Sequence, residues 1–129
     1  MVILVQKEEE KYIDIQIIAI VLTIISTFIS FLLSYNQKLE LQNKKTLFSA
    51  KRTFKIAKFN RIFFLVLGII FLYVNYNLYK ISKKEGENLK PYELQILASV
   101  LTVGAALITL YVVTLSNKEE VADIENPII

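Results

Sequence analysis

Apolar residues gather into three long runs, residues 12–35, 62–79 and 92–115, with charged segments between them. The first run is interrupted only by small or polar side chains at helical spacing. Gln16, Thr23, Ser26, Thr27, Ser30 and Ser34, with Ala19 among them, recur at steps of three, four and seven. Such steps place them on one side of a helix and leave Ile, Leu, Val and Phe for the rest. The third run repeats the pattern with Gln95, Ser99, Thr102, Ala106 and Thr109, flanked by Ala98 and Ala105, and its Gly104-Ala-Ala centre predicts a tight helix contact. The second run is aromatic and carries Gly68 and Asn75 seven residues apart, hence on one face. In lipid, small residues let backbones approach, and hydroxyls and carboxamides bond across the contact. These positions therefore predict helix packing or, in an oligomer, a pore lining.

A helix crosses a hydrocarbon core of roughly 30 Å with about 20 residues. The first and third runs reach that length. The second is short, but Phe59 can extend it, and its flanking Lys, Arg and Tyr residues suit an interface. The predicted fold is an all-α membrane protein with three transmembrane helices in a single domain. A soluble three-helix bundle is the competing reading, but soluble helices keep a polar outer face and these do not. Composition agrees: the chain of 129 residues is 54% hydrophobic, with a mean hydropathy of +0.48.

Charge adds a direction. Residues 36–61 hold eight basic residues against one acid, Glu40, whereas residues 1–11, 80–91 and 116–129 hold two, four and one basic residues. The positive-inside rule puts the 36–61 connection in the cytoplasm, with the N-terminus outside and the C-terminus inside. No Gly or Pro interrupts residues 1–67, so the connection is predicted to be a helical hairpin turning near Gln42–Lys45. Thr46 is the expected N-cap of a second helix running to about Ile81, long enough to project into the cytoplasm. Along it Leu47, Ala50, Phe54 and Ala57 share a face beside Lys44, Lys51, Arg52, Lys55 and Lys58. Snorkelling topological charge accounts for these cations, and the alternative is a grip on anionic lipid or an acidic partner. Gly86 predicts a turn and Pro91 the opening of the third helix. The segment after residue 116 forms an acidic tail (Glu119, Glu120, Asp123, Glu125) that could meet the basic connection.

Chemistry is sparse. Without Cys or His there is no thiolate, no imidazole ligand and no ordinary general base near neutral pH. There is no Gly-rich phosphate loop and no metal-ligand spacing. Asp14 and Glu93 lie at the ends of apolar runs, where carboxylates reach the headgroups, and no ionisable residue falls at mid-membrane. No cofactor, metal, nucleic-acid partner or enzymatic activity is expected. The N-terminus turns acidic at Glu8–Glu10 and is not expected to be a cleaved export signal. Two functions remain: association with itself or with other membrane subunits, and an oligomeric pore. Three spans, an external N-terminus and small size resemble the topology of one class of phage holins, without a shared motif. The acidic tail departs from the basic tail common in that group.

Overall fold

A computed structural model describes residues 2–115 and contains three helices, α1 (Val2–Leu41), α2 (Ala50–Glu85) and α3 (Lys90–Leu115). Each is long and apolar enough to cross a membrane. Their outward faces carry large side chains such as Ile24, Phe28, Val66, Ile69, Leu101 and Ile108, all exposed. Water would penalise that surface, whereas lipid tails match it. The acidic tail and any contact it makes lie outside the described residues.

The central element is α2. Both α1 and α3 pack along it, and they share no comparable interface with each other. The register with α1 is antiparallel, from Tyr12 beside Asn77 at one end to Leu33 beside Ala57 and Asn36 beside Thr53 at the other. Two small apolar clusters hold this seam, one around Tyr12, Val74 and Ile81 and one around Leu33 and Ala57. Against α3, Gly68 is the close approach. A Cβ there would meet Val103 Cγ2 at 3.4 Å and Thr102 Cγ2 at 3.8 Å. Gly104 plays no such part. Nothing lies within 4 Å of its Cβ position, and the buried residue of the expected Gly-Ala-Ala contact is Ala106.

The helix ends differ from expectation in ways the side chains explain. α1 begins ten residues before the apolar run, so the charged cluster at Lys7–Lys11 is itself helical. It ends at Leu41, and Asn43 takes a left-handed φ of 56°, which Asn tolerates better than most residues. The cap of α2 is Ser49, whose hydroxyl accepts from the Arg52 amide at 3.2 Å; Thr46 lies in the turn. What moves the start is Asn36. Its side-chain oxygen accepts from the Leu47 and Phe48 amides at 2.7 and 2.9 Å, which holds those residues out of a helix. α2 keeps the expected length, 36 residues, but runs four residues further on, to Gly86 in a left-handed C-cap with φ 73°. Pro91 lies in the first turn of α3.

The seam with α1 extends from Thr53 to Ile81, so Asn60 and Arg61 belong among the packed helices. Arg61 is 4% exposed and engaged, although the charge pattern placed it with the solvated connection.

Candidate functional site

The hydroxyl stripe of α1 divides into two uses. Ser26 and Ser30 are buried against α2, where both meet Asn60. Ser26 Oγ donates to Asn60 Oδ1 at 2.8 Å, and Asn60 Nδ2 donates to Ser30 Oγ at 2.9 Å. Thr23 and Thr27 instead donate back to the carbonyls of Ala19 and Thr23, at 2.8 and 2.9 Å, and take no part in the seam. Ser34 Oγ is enclosed with no hydrogen-bonding partner among the described residues.

On α3, Ser99 is buried and its Oγ accepts from Asn75 Nδ2 at 2.6 Å. Ala106 is fully buried, and Thr109 is buried while donating to the Ala106 carbonyl at 3.0 Å. Thr102 and Gln95 are exposed, and Thr102 donates to the Ala98 carbonyl at 2.8 Å. The expected packing positions thus fall into a set buried against α2 (Ser26, Ser30, Gly68, Ser99, Ala106, Thr109) and an open set (Thr27, Gln95, Thr102), with Gln16, Thr23, Asn75 and Ser34 half-buried. Lys44, Lys51, Arg52, Lys55 and Lys58 are all exposed.

The open set is not scattered. Two openings flank Phe71 of α2. Between α1 and α3 lies a cleft, a polar recess of about 270 Å³ lined by Gln16, Phe71, Asn75, Gln95, Ser99 and Thr102, with Ala98. Beside it, α1 residues from Ile20 to Phe31 and the same Phe71 bound an apolar groove of about 450 Å³. Gln16 is four residues inside Tyr12 and Gln95 three inside Tyr92, so the recess lies about one helical turn below one end of the bundle. No ionised side chain lines it. Neither glutamine carboxamide bonds another described residue. A primary amide facing hydrocarbon without a partner is unfavourable.

At the same end, carboxylate oxygens of Glu9, Glu85 and Glu87 lie within 4.8 Å of one another. Tyr92 donates its hydroxyl to Glu87 Oε2 at 3.3 Å, which brings α3 to the same corner. A hydrogen bond with Glu87 raises the Glu85 carboxyl above its ordinary range, with desolvation and the negative charges of Glu9 and Glu87 adding to it.

No family model matches this chain, and neither a curated protein nor a solved structure is significantly similar to it. The cleft is therefore read from its own residues.

Sequence reasoning missed four seam residues. Asn60, Asn36, Thr53 and Asn77 sit at or beyond the edges of the apolar runs, where Asn and Thr look like loop or cap residues. A heptad step back from Asn75 reaches Gly68 and then Arg61, which signals that the buried face continues past residue 62.

Proposed function

We propose that the chain is a small non-enzymatic integral membrane protein that works by helix–helix association, as a homo-oligomer or as a subunit of a larger membrane complex. The observation that carries this reading is the pair of unpartnered carboxamides, Gln16 and Gln95, on opposite walls of an uncharged cleft. Small neighbours, Ala98 and Thr102, give another helix room to approach them. The oligomeric-pore alternative draws less support, since Ser26, Ser30 and Ser99 have their polar atoms directed at α2.

The charge asymmetry supports a cytoplasmic 36–61 connection in a bacterial cytoplasmic membrane, with the start of α2 projecting from the bilayer there. The exposed Lys44, Lys51, Arg52, Lys55 and Lys58 then face anionic headgroups, each contributing about 1 kcal/mol near such a surface.

Mass determination in nanodiscs, paired with dye release from liposomes at high protein density, tests the reading. Discrete oligomers, or a stable complex with another membrane chain, in sealed liposomes support association. A monomer that captures no membrane partner contradicts it, and dye release would transfer the assignment to a pore.

A further inference from the structure

Independently of association, and resting only on α2 crossing the bilayer, we infer that the C-terminal end of α2 holds the headgroup of an anionic phospholipid. A recess of about 440 Å³ opens there between Tyr76, Tyr79, Lys80, Lys83 and Lys84. Its chemistry suits a phosphodiester. Three ammonium groups and two phenolic hydroxyls supply donors, and no carboxylate lines it. Among the described residues none of the three ammonium groups is ion-paired; Lys80 Nζ instead stands 5.0 Å from the centre of the Tyr76 ring. The acids of this corner are turned elsewhere. Glu85 is two residues from Lys83, hence on the opposite side of the helix, where it meets Glu9 of α1 and Glu87. The recess is therefore a patch of uncompensated positive charge, and an anion with several acceptor oxygens completes it.

What makes that anion a lipid headgroup and not free phosphate is the stripe beside it. Val66, Ile69, Tyr73, Tyr76, Lys80 and Lys83 follow one another at steps of three and four, so they form one ladder along α2. The first four are each about half exposed, and both lysines are exposed. This ladder lies off both seams, since α1 packs on Val74 and Ile81 and α3 meets Gly68 and Asn75. The pairings of Tyr12 with Asn77 and of Asn36 with Thr53 set Val66 opposite the middle of the apolar run of α1. From Val66 to Tyr76 the helix rises about 15 Å, half of a hydrocarbon core of roughly 30 Å. Over one leaflet the ladder thus passes from aliphatic through aromatic to cationic, in the order of acyl chain, ester region and phosphate.

Native mass spectrometry of the full chain, titrated in neutral-detergent micelles with phosphatidylglycerol or phosphatidylcholine, tests the site. Retention of phosphatidylglycerol should exceed that of phosphatidylcholine. The Lys80→Gln/Lys83→Gln/Lys84→Gln variant should hold phosphatidylglycerol at least about tenfold more weakly. Lys7→Gln/Lys11→Gln/Lys90→Gln removes the same charge from exposed positions at the same end of the bundle, and should change retention less than about twofold. Any lipid held by the basic 36–61 connection contributes equally to both variants. Helix content should stay that of the parent chain in each, because all six lysines are exposed. Glycerol phosphate, which carries the same anion without acyl chains, should fail to displace the lipid. Equal losses in the two triple variants, or no preference for phosphatidylglycerol, would overturn the site. Displacement by glycerol phosphate at matched concentration would overturn the lipid as its occupant. None of these results bears on oligomeric state, so association stands or falls separately.

Discussion

Asn60→Ala is the substitution that most directly probes how α1 is held. Asn60 is 2% exposed, and it both accepts from Ser26 and donates to Ser30. Interhelical hydrogen bonds in a bilayer average about 0.6 kcal/mol and reach about 1.7, because the separated helices also find partners. Two such bonds give a loss of roughly 1–3 kcal/mol. The upper end is moderated because Ser26 and Ser30 can turn back to their own helix carbonyls, as Thr23 does to Ala19 at 2.8 Å. Helix content should not change, since backbone bonds within each helix do not depend on the seam. The loss should instead appear in a tertiary probe, the near-ultraviolet signal of Tyr12, whose ring meets Tyr73 edge-on with centroids 5.9 Å apart. Reversible unfolding in mixed micelles provides the assay, with Ser30→Ala completing a double-mutant cycle. A shift below about 0.3 kcal/mol, or strict additivity of the two substitutions, would refute the claim that Asn60 ties α1 to α2.

Other positions give sharper signs. Gly68→Ala should be tolerated, since its Cβ meets a side-chain methyl at 3.4 Å, whereas Gly68→Leu should separate α3 from α2, as read by cross-linking between the two helices. Ser34→Ala should stabilise the protein, by up to about 1 kcal/mol in the same micelle titration, because it removes an enclosed hydroxyl with no partner. Asn36→Ala should free the Leu47 and Phe48 amides, so hydrogen exchange at those two residues should rise while α3 is unaffected. The raised Glu85 carboxyl favours the protonated form in the folded state, so its contribution is full below the ordinary value of 4.5 and is lost as pH rises through the folded value. Protection near Glu9 and Glu85, taken relative to the intrinsic exchange rate at each pH, should therefore fall on raising the pH from 4 to about 7, and Glu85→Gln should flatten that dependence.

The three helices were legible because hydropathy records length directly. So was the side of α1 and α3 that is polar, because the helical period is short and the exceptions to greasiness were few. What the period could not supply was the third dimension. It placed Ser26, Ser30, Thr23 and Thr27 on one stripe, yet a difference of some tens of degrees sends the serines to Asn60 and the threonines toward the apolar groove beside Phe71. The choice of α2 as the central element was equally hidden, since α1 and α3 carry the more conspicuous polar faces. Asn36 explains the misplaced cap: one carboxamide collects two amides eleven and twelve residues ahead, a tertiary contact that outweighs Thr46's local preference. Arg61 was misplaced because charge counting treats every cation as solvated, while a long side chain beside Asn60 can be enclosed by the helices around it.

The central claim is that α2 crosses the bilayer between two others. Single cysteines at Asn43 and Asn88, in the two connections, and at Ile24, Val66 and Ile108, exposed on the three helices, test it in a chain that has no other thiol. With an impermeant maleimide applied to sealed vesicles, positions 43 and 88 should label from opposite sides and the other three from neither. Labelling of both connections from one side, or ready labelling at Ile24, Val66 or Ile108, would contradict the account.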